Sequence, residues 1–166
     1  MRFLNVDEEV QLLAALAERS MDVHDMALLS LDCGLRAGEI FKLAWSDVDL
    51  AGGLLALRGT KSGHNRHAFI TARVHSMLES RGPKKPSALV FPPRRGARIT
   101  QISKLFGRVV ADLGLNFGIT DPLQKEVFHS LRHTFASKLV GQGVDLYRVQ
   151  VSWATRPPQW SNGMPT

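Results

Sequence analysis

Apolar residues recur at helical spacing in the first third of the chain, and this pattern predicts three helices in succession. Positions 7–19 carry the first repeat, and the acidic residues that open it favour the positive end of a helix dipole. A second apolar run, 23–31, stops at Gly34, a residue suited to the left-handed turn after a helix. Residues 37–44 predict a short third helix, which leaves Arg36 at the corner between two helices.

Two short apolar segments, 54–58 and 66–70, are typical of strands joined by a polar turn, and Lys61 lies in that turn. His64 and His67 have no carboxylate or cysteine cluster beside them, so we interpret the stretch from His64 to His67 as a solvated hairpin rather than a metal site. The sequence therefore predicts one small antiparallel sheet in a mainly helical fold.

The remaining part of the chain predicts more helices around a stiff loop that begins at Gly82. A helical turn is expected at 74–79, and Thr100 is expected to cap a helix whose apolar residues form one stripe. Ser130 is expected to cap the next helix, and residues 145–149 begin another. The last residues, 151–166, abandon helical periodicity and contain three prolines.

Composition narrows the classes of partner. The chain has 166 residues, enough for one domain, and its formal net charge of +6 favours a polyanion such as nucleic acid or an anionic membrane surface. Its apolar runs are too short to span a bilayer, and its mixed, acidic first ten residues do not resemble a signal peptide. We therefore expect a cytoplasmic protein in which the single Cys33 is a small core residue.

Two arginines, a lysine and two histidines have the chemistry that a phosphodiester requires when it is attacked without a metal. The guanidinium groups of Arg36 and Arg132 can hold the non-bridging oxygens in a fork. Lys61 is a candidate proton donor for the leaving oxygen, and His129 or His133 can move a proton or donate to the phosphate. We expect no metal and no other cofactor.

Three motifs resemble the catalytic domain of the tyrosine recombinases, the phage integrase family. They are Gly-Leu-Arg-Ala-Gly-Glu at 34–39, Thr-Lys-Ser-Gly at 60–63 and His-Ser-Leu-Arg-His at 129–133. The resemblance covers roughly residues 3–150 and implies the mainly α fold of that catalytic core, with its small antiparallel hairpin sheet. It also implies double-stranded DNA as partner, with other recombinase protomers on the same DNA.

The resemblance assigns a role to each motif residue. Arg36 and Arg132 hold the scissile phosphate, Lys61 protonates the departing 5′ hydroxyl and His129 assists at the phosphate. Glu39 and His133 support these residues from behind. The basic run Arg94, Arg95 and Arg98 fits DNA-backbone contact and a solvated loop about equally.

The family's tyrosine nucleophile is missing. Thr155 and Met164 stand where the family has a histidine and then the tyrosine, and the only tyrosine, Tyr147, lies 15 residues after Arg132 in a segment that resembles a packing helix. A shifted reading frame through this tail forces a glycine from the codons of Trp153 and Ala154. With GC-rich synonymous codons, the shifted frame restores Leu-Gly-His and Arg-Tyr-Ala at the family spacing, which favours a frameshift. The nucleotide sequence of the gene decides this hypothesis.

We therefore expect a tyrosine-recombinase-like domain at 1–150 and an aberrant tail at 151–166, frameshifted or disordered. The domain is expected to bind duplex DNA and hold the scissile phosphate without cleaving it. Since the resemblance begins almost at Met1, the family's N-terminal DNA-clamping domain is expected to be absent and affinity to be weak. The alternatives are a non-catalytic DNA-binding module and a decayed gene product of a mobile element.

Overall fold

Six α-helices and a three-stranded sheet make up the computed structural model, which describes residues 2–58, 65–93 and 96–144. The helices are α1 Val6–Arg19, α2 Met21–Cys33, α3 Ala37–Ile40, α4 Ala72–Arg81, α5 Lys104–Asp112 and α6 Ser130–Gly141. Single 3-10 turns lie at Trp45–Asp47 and Pro122–Gln124. The predicted mainly α fold is confirmed.

Helix α2 is the central helix of the fold. It packs against α1, α3, α4 and α6, and it is buried along most of its length, which explains why its apolar run is nearly continuous. The side chain of Asn5 caps α1 by accepting the Glu8 amide at 2.9 Å, and Ser20 caps α2 by accepting the Val23 amide. The predicted end of α2 at Gly34 is confirmed, since Gly34 has φ of 65°.

The sheet consists of β1 Val48–Asp49, β2 Leu54–Leu57 and β3 Arg66–Phe69, all antiparallel and in that order. The two predicted strands are confirmed, and the two-residue β1 is an addition. Strands β2 and β3 pair so that Leu57 lies opposite Arg66, and both are buried. Because side chains alternate along a strand, His67 and Phe69 lie on the exposed face of β3.

The predicted third helix is too long. Helix α3 ends at Ile40, because the chain that follows pairs with a distant segment instead of continuing the helix. The Val90 amide donates to the Leu43 carbonyl, and the Trp45 amide donates to the Ala88 carbonyl, each at 2.9 Å. These bonds use the Leu43 carbonyl and the Trp45 amide, which a longer helix would pair internally, while Lys42 and Leu43 donate to carbonyls three residues earlier.

Two predicted helix caps are displaced. Helix α5 is capped by Ser103, whose hydroxyl accepts the Leu105 amide at 3.2 Å, so Thr100 lies before the helix and remains exposed. Helix α6 has His129 at its N-cap position, and Ser130 is its first residue. The Ser130 hydroxyl turns back to the preceding loop, where it accepts the Val127 amide at 2.9 Å and donates to Glu126 Oε1 at 2.5 Å.

Buried Glu9 joins three helices through ion pairs. Its carboxylate lies on α1 and contacts Arg73 of α4 at 2.8 Å and Lys138 of α6 at 2.5 Å. Arg73 also pairs with Asp32 of α2 at 2.5 Å. Among the residues described, no helix has the length and apolar character needed to cross a lipid bilayer.

Candidate phosphate-binding site

The left-handed turn at Gly34 positions the first candidate arginine. Two residues after it, Arg36 occupies the N-cap position of α3, and its amide donates to Glu39 Oε2 at 2.8 Å. Its guanidinium lies 3.4 Å from Glu39 Oε1, and its side chain is 39% exposed. Arg36 is therefore tethered at its backbone while its charged end remains accessible to a ligand.

Gly34 also allows α6 to approach the end of α2. A Cβ atom at Gly34 would lie 2.5 Å from the ring of Phe135, so only glycine fits between the turn and α6. The close approach brings Arg132 of α6 to the same turn, where its Nη1 donates to the Gly34 carbonyl at 2.5 Å. The Arg132 side chain is 3% exposed, and its Nη1 lies 4.0 Å from Glu39 Oε2.

A third arginine, Arg66 of β3, completes the group. Its Nη2 donates to Glu39 Oε2 at 2.7 Å and to the Gly34 carbonyl at 3.3 Å, while its Nε donates to Glu39 Oε1 at 3.2 Å. The predicted solvated position of Arg66 is wrong, because the strand alternation that exposes His67 buries Arg66 beside Ala68. The alternation of side chains along the strand was the sequence signal from which the burial of Arg66 could have been predicted.

Arg36, Arg66 and Arg132, which we call the arginine cluster, surround the single carboxylate of Glu39. Burial would raise the pKa of Glu39, but the hydrogen bonds from Arg66 and the Arg36 amide hold it below its ordinary value. The pKa of Arg132 is lowered to about 10 by burial and then by the charges of Arg36 and Arg66, although Glu39 opposes the shift. Positive charge is in excess here, so a bound anion would be stabilised.

Both histidines of the box lie beside the cluster. The His129 and His133 rings are 5.2 Å apart, edge to face, with His129 exposed and His133 half-buried. Burial lowers the pKa of His129, and the charges of Arg132 and Arg36 lower it further. Burial also lowers the pKa of His133, followed by the effects of His129 and Arg132. The lowered pKa values favour the neutral imidazoles, and a neutral imidazole can donate one hydrogen bond to a phosphate oxygen.

The structure brings five predicted site residues to one place: Arg36, Glu39, His129, Arg132 and His133. Arg98 lies in a pocket that Glu39 also lines. Lys61, Arg94 and Arg95 lie outside the described residues, as do Tyr147, Thr155 and Met164.

Cys33, next to the Gly34 turn, is buried as predicted, and burial raises the pKa of its thiol to about 12. Within residues 2–58, 65–93 and 96–144, no three His, Cys, Asp or Glu side chains are grouped to hold a metal ion.

A helical core that presents clustered arginines beside two histidines defines a protein with a site of excess positive charge. The Phage integrase family model matches residues 2–154, so the chain belongs to the phage integrase family, the tyrosine recombinases.

The relatives agree with this assignment. Tyrosine recombinase XerC of Xanthomonas campestris pv. campestris (strain B100) is 32% identical over 155 residues, which is 89% of this chain and 45% of the relative. The chain spans about half the length of the relatives it matches.

Solved structures share the fold. The catalytic domain of bacteriophage HP1 integrase aligns with a TM-score of 0.67 and 24% identity, over 94% of this chain and 82% of that one. The Tn1549 transposon integrase in complex with circular intermediate DNA aligns with a TM-score of 0.72 and 19% identity, over 93% of this chain and 59% of that one.

Proposed function

We propose that this domain binds duplex DNA and holds one phosphodiester between Arg36 and Arg132, with His129 as a further hydrogen-bond donor. The observation that carries the proposal is the arginine cluster around Glu39, which keeps one guanidinium accessible and a second one fixed at the Gly34 carbonyl. Arginine binds phosphate through paired hydrogen bonds, and a DNA backbone offers a phosphate at every nucleotide. The net charge of +6 supports a polyanionic partner.

Each residue of the site has its own role in the proposed binding of the phosphate. Arg132 is held on one side by the Gly34 carbonyl, so its guanidinium is preorganised and loses little freedom on binding. Arg36 completes the clamp from the accessible side, and neutral His129 donates a hydrogen bond without adding repulsion to the arginines. Glu39 and His133 stand behind these groups, and Lys61 remains the proposed proton donor for a leaving 5′ hydroxyl.

We further propose that the chain does not complete strand cleavage. Cleavage in this family requires a tyrosine in line with the phosphate, and Met164 stands where the family resemblance implies that tyrosine. The proposed binding domain is residues 1–150, followed by an altered tail at 151–166. A non-catalytic DNA-binding module is the second candidate, and the missing tyrosine favours it.

Binding is tested by fluorescence anisotropy on a labelled duplex at low salt. Arg36→Ala should weaken binding about tenfold, because one phosphate contact is lost, while thermal unfolding stays unchanged. Arg19→Ala is the matched control, since its side chain is 42% exposed and also has one carboxylate partner, Asp112. Equal losses for the two variants would contradict a phosphate site at Arg36.

Cleavage is tested with a nicked suicide duplex, which traps any covalent intermediate. We expect reversible binding and no protein–DNA adduct on a denaturing gel. An adduct would contradict the proposed loss of cleavage, and mapping the modified residue would identify the nucleophile. Adduct formation that Tyr147→Phe abolishes would assign it to Tyr147.

A further inference from the structure

A second cationic pocket adjoins the arginine cluster. It has a volume of about 280 Å³ and lies where α3, the 3-10 turn at 45–47 and the end of β2 meet the segment that contains Arg98. Three cations line it, Lys42, Arg58 and Arg98, together with the carboxylates of Glu39 and Asp47. We call Lys42, Arg58 and Arg98 the cationic pocket.

Both carboxylates of this pocket already have cationic partners. Asp47 accepts Arg58 Nε at 3.0 Å, and Glu39 accepts the buried Arg66 at 2.7 Å. Lys42 and Arg98, in contrast, are exposed and have no ion-pair partner in the part of the chain that the structure describes. The pocket therefore has two cations available for an anion, and Arg58 is fixed beside them.

Glu39 adjoins the arginine cluster and is also part of the lining of the cationic pocket. Its carboxylate contacts Arg36 and Arg66 of the arginine cluster, and Glu39 also lines the cationic pocket. An anion at the cluster and one at the pocket would thus be separated by little more than one side chain. Each strand of duplex DNA supplies one phosphate for every nucleotide, so neighbouring anions recur at short intervals along its backbone.

We propose that the cationic pocket binds a second phosphate of the same duplex, next to the phosphate held by Arg36 and Arg132. This inference rests on the proposed function. Lys42 and Arg98 contact the phosphate oxygens, and Arg58, held by Asp47, adds its charge from the rim. One phosphate contact leaves a duplex free to pivot, whereas two contacts along the backbone set its direction across the site. The pocket is a positioning site and reads no bases.

The test is the salt dependence of DNA affinity for Lys42→Ala/Arg98→Ala. One lost phosphate contact should lower the slope of log K against log salt by about 0.9 and weaken binding about tenfold at low salt. Lys104→Ala/Arg108→Ala is the matched control, because both residues are exposed on α5, outside the pocket, and the charge change is equal. The control should change the slope by less than about 0.3.

A combined variant separates this inference from the proposed function. If Arg36 and the cationic pocket hold different phosphates, the slope losses of Arg36→Ala and Lys42→Ala/Arg98→Ala add to about 1.8. Equal losses in the pocket variant and the control would overturn the second site, as would non-additive losses. Normal loss at Arg36 with no loss at the pocket would overturn this inference alone. Absence of DNA binding by the unmodified protein would overturn both.

Free phosphate is the other source of the same chemistry. Replacing chloride by inorganic phosphate at equal ionic strength should change wild-type DNA affinity by less than about twofold. A larger loss that Lys42→Ala/Arg98→Ala abolishes would mean that inorganic phosphate and DNA compete for the pocket, which would support its assignment to DNA; phosphate binding to the pocket by isothermal titration calorimetry, with DNA affinity unchanged, would overturn that assignment. Thermal unfolding of every variant, measured alongside, should remain within about 2 °C of the wild type because Lys42 and Arg98 are exposed.

Discussion

Glu39 holds all three members of the arginine cluster, although its own charge has the same sign as that of the phosphate ligand we propose. It is buried, receives Arg66 through two hydrogen bonds and tethers Arg36 through the backbone amide. Without it, three guanidinium groups would repel one another at the Gly34 turn. The carboxylate lowers that repulsion while leaving an excess of positive charge, which is the condition for anion binding in a folded domain.

The buried pair between Arg66 and Glu39 is open to a direct stability test. Arg66→Met leaves a buried carboxylate without its main partner, so we expect the free energy of unfolding to fall by about 3 kcal/mol in urea titrations. Arg66→Met/Glu39→Gln should recover part of the loss, because no uncompensated charge remains. Arg58→Met, which removes the exposed partner of Asp47, serves as control and should cost less than about 1 kcal/mol. Equal costs for Arg58→Met and Arg66→Met would refute the buried pair.

Glu126 introduces a pH dependence at the start of α6. It is 2% exposed, and burial raises the pKa of its carboxyl to about 7. The hydrogen bond from Ser130 and the charge of Arg2 lower this pKa, whereas the charge of Glu8 raises it. The unfolded chain loses this proton near its ordinary pKa, whereas the folded protein keeps it until about pH 7. Stability contributed by the protonated form is therefore complete below about pH 4.5 and is lost as the pH rises to about 7.

Glu126→Gln removes this titration while keeping the acceptor for Ser130. We expect the variant and the wild type to be equally stable at pH 4, and the variant to be more stable by roughly 3 kcal/mol at pH 8. Urea unfolding at intervals between these values measures the difference. A difference that does not change with pH would show that Glu126 does not titrate in this range.

At the scale of secondary-structure elements, the packing of α6 on the end of α2 leaves no space for a larger side chain at Gly34. Gly34→Ala places a Cβ at a φ of 65° and against the Phe135 ring, so we expect a loss of about 2 kcal/mol or more in the free energy of unfolding. Gly38→Ala, inside α3 with no atom within 4 Å of the new Cβ, should stabilise by about 0.5 kcal/mol. If Gly34→Ala were as stable as Gly38→Ala, the close packing of α6 on the turn would be wrong.

Local patterns were sufficient to predict α1, α2, β2 and β3, because each has a clear period and recognisable ends. They failed where contacts with residues far away in the sequence determine the local structure. Helix α3 is cut short by pairing between residues 43–45 and 88–90, and no local feature of 37–44 records that pairing. The motifs located Arg36 and Arg132, but the burial of Arg66 depends on its partner Glu39, which lies 27 positions earlier in the chain.

At the level of the whole domain, Glu9 ties α1 to α4 and α6. Glu9→Gln leaves Lys138 unpaired on α6 and weakens the hold on Arg73, so we expect a loss of about 2 kcal/mol in the free energy of unfolding. The partners are partly exposed, which limits the cost. Exposed Glu18→Gln is the control and should have an effect below about 0.5 kcal/mol. Differential scanning calorimetry should show both variants unfolding in one transition; a separate early transition in Glu9→Gln would contradict a single cooperative unit.

The Gly34 carbonyl accepts from Arg66 and Arg132, which follow it by 32 and 98 positions. No short fragment of the chain contains all three groups, and helix formation alone cannot bring them together. The entropy of closing both long loops must be overcome before the guanidinium groups meet, so the site arises late in folding. A chain that has not finished folding therefore carries these positive charges far apart, and the proposed phosphate site is complete only in the native state.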